Sequence, residues 1–255
     1  MKSNSNLYFF LVAIASIFIG CGKTNEETID LKLNYKVGDV DRIYAATVTT
    51  GEIKYQNVME MDFTIDSVIG DKNVIAVKVL RISSESDAFG EKESYDSKKK
   101  IDQMTESEKS IHLSFQDILD KSFLVAINNK GKTLESFKSK ETNQPSEDII
   151  DIANIYIPFP DEPVKIGSDW KGERINSITK AKTISTYEVT NITEKEIIIS
   201  IVSEIGEIPG VLKSNTAKGE YVLDKKTCRI ITGEFLMNLQ NGKGKVGFKF
   251  ASKQS

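Results

Sequence analysis

Met59-Glu60-Met61-Asp62-Phe63-Thr64-Ile65-Asp66 decides the fold: every second residue is large and apolar, and those between are acidic or a small hydroxyl. A period of two sends successive side chains to opposite faces of a pleated strand, so one face of this segment meets a core and the other meets water. Ile75, Val77 and Val79 repeat the pattern beyond the turn signal Gly70-Asp71-Lys72-Asn73. Late in the chain Ile231, Gly233, Phe235, Met237 and Leu239 share one parity, and Val246, Phe248 and Phe250 follow. Residues 197–202, IIISIV, read as a strand buried on both faces. Asn129-Lys130-Gly131-Lys132 and Asp224-Lys225-Lys226-Thr227 are further turns between such runs. One-sided alternation marks antiparallel sheets, so the expected class is all-β and mainly antiparallel.

The chain also repeats itself. Val37-Gly38-Asp39 echoes Ile166-Gly167-Ser168-Asp169-Trp170, and Phe63-Thr-Ile-Asp-Ser-Val68 echoes Tyr187-Glu-Val-Thr-Asn-Ile192. Residues 123–137 echo 221–235 across their charged turns. The expected organisation is two curved β-meander halves, 31–140 and 164–255, forming a duplicated sheet or an open barrel. Residues 141–163 join them as a short helix and a Pro-rich connector. Pro145 and Ser146 suit a helix start, Ile149, Ile150, Ile152 and Ala153 give its apolar stripe, and Pro158, Pro160 and Pro163 stop it. Residues 84–110 are charged and poor in apolar side chains, and read as a long polar loop or hairpin with a solvated Lys98-Lys99-Lys100. A second short helix or turn is expected at 114–120.

The N-terminus is a different kind of signal. Lys2 precedes the apolar run 7–19, LYFFLVAIASIFI, which ends at Gly20-Cys21. A membrane-crossing helix needs about 20 apolar residues. This run is shorter, and residues 1–20 read as an export signal. Phe18-Ile19-Gly20-Cys21 resembles the lipobox of bacterial lipoproteins, which implies cleavage before Cys21 and a diacylglycerol thioether on its sulfur. Each buried methylene contributes about 0.8 kcal/mol, so two or three acyl chains hold a protein firmly to a bilayer. Residues 21–30 then form a flexible polar tether, with Glu26-Glu27 as a plain solvated pair. The expected location is the bacterial cell envelope, lipid-anchored at the outer membrane and facing the periplasm or the cell surface.

The chain of 255 residues carries a net charge of −3 with no basic stripe, so no nucleic-acid partner is expected. One histidine, His112, and two cysteines make a zinc or copper site implausible. With Cys21 acylated, Cys228 is a lone thiol in a strand-like segment, read as a small buried hydrophobe. S-x-x-K occurs at Ser97, Ser168 and Ser177, but S-D-N and K-T-G are absent. Gly242-Lys-Gly-Lys-Val-Gly247 lacks the βαβ setting of a dinucleotide fingerprint and reads as a turn feature. Trp170 reads as a packing residue. No catalytic, cofactor-binding or metal-binding residue is assigned, and the chain is expected not to be an enzyme. The alternative is an envelope hydrolase using carboxylates or a Ser/Lys pair. The expected role is non-catalytic binding or scaffolding. The expected partners are the membrane, through Cys21, and an apolar ligand or an envelope protein held by a curved sheet.

The order of these features resembles an uncharacterised family of envelope lipoproteins, a domain of unknown function. The resemblance rests on Lys36-Val37-Gly38-Asp39, on residues 159–170 (FPDEPVKIGSDW) and on Gly219-Glu220-Tyr221-Val222-Leu223-Asp224. Ser168 departs from the simpler G-D-x-W form, and Cys228 sits where a turn glycine is expected. The resemblance implies no catalytic residues.

Overall fold

The structure is a computed structural model describing residues 27–141, 155–175, 180–207, 214–238 and 244–254. Its strands are β1 (Val40–Thr50), β2 (Ile53–Ile69), β3 (Lys72–Ala88), β4 (Glu91–Asp96), β5 (Ser122–Asn128), β6 (Thr133–Ser139), β7 (Asp169–Ile175), β8 (Lys182–Ile192), β9 (Glu196–Ile205), β10 (Asn215–Asp224), β11 (Ile230–Asn238) and β12 (Lys245–Gln254). They form one antiparallel sheet in the order β6-β5-β3-β2-β1-β12-β11-β10-β9-β8-β7, with β4 alongside β3. The sheet is open, with β6 and β7 at its ends, and does not close into a barrel.

The two halves share order, register and irregularities. Phe63 stands opposite Asp41 and Val77, and its counterpart Tyr187 stands opposite Trp170 and Ile201. Just beyond, the β2–β3 ladder slips between Ile65 and Ser67, and the β8–β9 ladder between Val189 and Asn191. Gly38 donates to the Ile65 carbonyl at 2.9 Å and Gly167 to the Val189 carbonyl at 2.8 Å. At the following turns Asn128 and Asp224 play the same part: the Asn128 amide donates to Lys132 O and the Asp224 amide to Arg229 O, both at 2.9 Å. β7, β8, β9, β10 and β11 thus repeat β1, β2, β3, β5 and β6. Among the described strands β4 and β12 have no counterpart, and β12 fills the seam between β1 and β11.

Alternation sets the core, as the sequence implies. Met59, Met61, Phe63, Ile65, Ile75, Val77, Val125, Val189 and Leu223 are buried on one face. Residues 197–202 differ from expectation: Ile197, Ile199 and Ile201 are buried, but Val202 is 41% exposed, so this strand is one-sided like the others. The apolar face is covered by two extended segments of the chain itself. A strap at 29–35 buries Leu31, Leu33 and Tyr35, and the connector at 155–164 buries Tyr156, Ile157, Phe159 and Val164. Ile29 and Val164 exchange two backbone bonds of 2.8 Å, Leu33 donates to Asn129 O, Asn34 to Thr227 O, and Phe159 to Lys130 O. The strap therefore touches the corresponding turn of each half.

Three expectations need correction or narrowing. Residues 27–30 are not a free tether: besides the Ile29 pairing, Asp30 meets Lys130 at 2.5 Å and Glu27 meets Lys225 at 2.7 Å. Residues 84–110 are not one long loop: the hairpin alternative holds for 84–96, where β3 and β4 pair antiparallel across a turn at Phe89-Gly90. Residues 84–110 carry the outer end of β3, the strand β4, a short 3-10 turn (Ile101–Gln103) and the first half of the helix α1 (Glu106–Phe115). Backbone ladders and ion pairs organise this region, which is why low apolar content misled. At 114–120 the turn alternative holds, with the helix end followed by a turn at 116–118, and the helix itself lies earlier because Thr105 and Glu108 close a reciprocal capping box that starts it there. The expected helix start at 145–154 falls outside the described residues.

Gly131 has φ +72° and sits where an added Cβ would lie 2.1 Å from the Ile157 carbonyl oxygen. Gly131→Ala should therefore push the connector off the turn and cost about 2 kcal/mol or more, read as a lowered urea midpoint.

Candidate functional site

The densest chemistry among the described residues lies where strap, β1 and the β10–β11 turn converge. Asp39 and Asp41 flank Val40, the first residue of β1, Arg229 ends the turn before β11, and Tyr35 ends the strap. Arg229 Nε donates to Asp41 Oδ2 at 3.1 Å, Nη2 donates to Asp41 Oδ1, and Nη1 donates to Asp39 Oδ2 at 3.3 Å. The guanidinium carbon lies 5.3 Å from the centre of the Tyr35 ring. Tyr35 in turn donates its hydroxyl to Tyr156 at 3.5 Å. Arg229 and Asp41 are 6% and 5% exposed. Burial pushes the Asp41 carboxyl upward, opposed by its bonds to Arg229. Burial likewise raises the Tyr35 and Tyr156 phenols far above physiological pH, so both stay neutral. Arg229, Asp39 and Asp41 satisfy one another here, and the arrangement works as a clamp.

Cys228 precedes this clamp. The strand expected there begins only at Ile230, so the thiol lies in the turn. It adopts φ +53°, at the turn that corresponds to Gly131, which explains why a glycine is the residue expected from the sequence pattern. Its thiol is buried and burial raises its pKa, so it is a poor nucleophile.

His112 lies on α1, and its Nδ1 is 3.0 Å from the hydroxyl of the buried Tyr95 on β4. Phe115 stacks on the same ring at 6.0 Å. Lys99, read as solvated, reaches both oxygens of Glu108 at 2.9 and 2.7 Å. Arg81 forks onto Asp96 at 3.0 and 2.6 Å. Trp170 stacks on Tyr187 at 5.4 Å and donates Nε1–H to the Pro158 carbonyl at 2.7 Å, a packing role. Cys21, the residue assigned to lipidation, falls outside the described residues, as do residues 1–26 as a whole.

The Arg81 hydrogen bond holds Asp96 below its ordinary pKa, and the Lys99 hydrogen bond does the same for Glu108. A carboxylate depressed in the folded state stabilises above its unfolded pKa of about 4, and that gain is lost as pH falls through the folded value. The β4–α1 region should therefore loosen on acidification from about pH 5 down through the lowered folded-state values. Asp96→Asn should flatten this fall in thermal midpoint while lowering the midpoint at the upper pH.

Grooves lie on the surface formed by the described residues. One, of about 560 Å³, lies on the sheet face opposite the core, with Tyr44, Ala46, Val222 and Leu236 inside and Lys218 and Lys249 on its rim. Behind it Gly233 makes room for the Phe250 ring on the core side, where a Cβ would come within 2.2 Å. The second groove, of about 550 Å³, is polar and runs between the tips of β1, β2, β3 and β4. Among the described residues no group of three or more His, Cys, Asp or Glu side chains could hold a metal ion. No family model and no curated protein matches this chain. The sequence pattern missed the clamp because Arg229 and Asp41 are 188 positions apart. It also missed the strap, whose alternation of Leu31, Leu33 and Tyr35 was the available signal.

Proposed function

We propose that this chain is a lipid-anchored protein of the bacterial envelope, held at the outer membrane through Cys21, with a non-catalytic binding or scaffold role. The observation that carries the reading is the apolar run 7–19 ending in Gly20-Cys21. The fold is compatible with a scaffold: the apolar face of the sheet is packed with Leu31, Leu33, Ile157 and Phe159 of the same chain, so these positions are not open to an apolar ligand. The faces left for partners are the outer groove around Tyr44 and the sheet edges.

Fractionation of cells carrying the chain or its Cys21→Ser variant tests this. The native chain should pellet with membranes and yield an N-terminal peptide bearing acyl mass on Cys21. The variant should leave the membrane fraction. A native N-terminus without acyl mass, or a variant that stays membrane-bound, rejects the proposal.

A further inference from the structure

The duplication exposes a difference between two equivalent edges. β1 and β7 occupy the same place in their halves, yet β1 has a strand on each side and β7 has one. On β1, Arg42, Tyr44 and Ala46 stand opposite Lys253, Ala251 and Lys249 of β12. The matching positions on β7 are Lys171, Glu173 and Ile175, and among the described residues no strand pairs with them. Val189 exchanges backbone bonds with Gly167 and Ser168. By antiparallel alternation Trp170 and Gly172 then bond toward β8, and the backbone of Lys171 and Glu173 points outward.

The residues of this edge read Asp169-Trp170-Lys171-Gly172-Glu173-Arg174-Ile175. Turned antiparallel against itself about Gly172, the strand sets Lys171 opposite Glu173 and Glu173 opposite Lys171. Both pairs occupy hydrogen-bonded positions on the outer face, and both side chains are exposed. Glu173 already has Lys182 on its inner flank at 2.7 Å, so a second cation on its outer flank extends an existing pair. The opposite edge of the sheet is less suited: the β5–β6 ladder slips twice, whereas β7 and β8 pair without a slip over the full length of β7. Bulged, twisted edges resist strand addition, and regular ones template it.

We propose that the outer edge of β7 pairs with the β7 of a second copy of this chain, joining two sheets about a two-fold axis at Gly172. A two-fold contact is self-complementary by construction, and opposite charges directly across an antiparallel pair favour it while like charges oppose it. The pairing follows from the edge itself and does not depend on the lipid anchor.

Sedimentation of the full chain in detergent over a concentration series tests it, with circular dichroism confirming that each variant is folded. The native chain should dimerise. Lys171→Glu and Glu173→Lys should each raise the dimer dissociation constant about tenfold or more, because each sets two like-charged pairs across the axis. An equal mixture of the two variants should dimerise again, since each then presents the charge the other lacks. A chain that stays monomeric at every concentration overturns the proposal. So does a dimer indifferent to both reversals, or variants whose mixture fails to recover.

Discussion

Arg229→Ala is expected to lower the stability of the fold by about 3–5 kcal/mol, the range found when one partner of a buried ion pair is removed. The loss comes less from the missing attraction than from what stays behind. Asp41 remains 5% exposed with no guanidinium, and Asp39 loses the same partner. Urea unfolding of the variant measures the loss. Removing the charges together should cost much less, so Arg229→Met combined with Asp41→Leu should recover most of the deficit. The pH dependence has a definite sign. Burial raises the Asp41 carboxyl, and a raised folded pKa contributes stability at low pH that is lost as pH rises through it. Without Arg229 only the Tyr35 hydroxyl opposes that rise, so the Arg229→Ala deficit should shrink as the solution is acidified toward about pH 4. A deficit below about 1 kcal/mol, independent of pH, would mean that the clamp holds nothing together.

Leu31→Ala should cost about 2–5 kcal/mol, the range for deleting a fully buried leucine side chain. Leu31 is 0% exposed and lies on the strap, between the Ile29 pairing to Val164 and the Leu33 bond to Asn129. The cavity would open where both halves share one covering segment, so neither half can collapse to fill it. A single cooperative transition shifted to lower urea is the expected trace. Two separated transitions would show that the halves unfold independently.

How much of this was readable in the sequence depends on what holds each part. The long strands were legible because burial is one-sided: Met59, Met61, Phe63 and Ile65 must alternate to reach a core. The duplication was legible because Gly38 and Gly167, and the runs beginning at Phe63 and Tyr187, preserve residue type at equivalent bends. β4 and α1 were not, because backbone ladders, the Arg81–Asp96 fork and the Lys99–Glu108 pair hold them, and such contacts leave no hydrophobic period. The capping box Thr105-x-x-Glu108 was the one local cue. The strap was missed for another reason. Its Leu31, Leu33 and Tyr35 do alternate, but their neighbours are turn carbonyls rather than a ladder, so the segment reads as linker. The clamp is a long-range match of one cation with two anions, and a linear pattern does not encode it.

The placement of β12 has a consequence for how this protein comes to be folded. The strand that completes the middle of the sheet is made after all the others, and its partners include β1, with Asp41 facing Gln254. Until it docks, the growing polypeptide presents two unzipped seams and no finished barrier to unwinding. Joining residues so distant along the chain is slow, because a large loop must be closed before any contact repays it. The chain therefore stays threadable until its final strand is available, which suits the export route we propose for it.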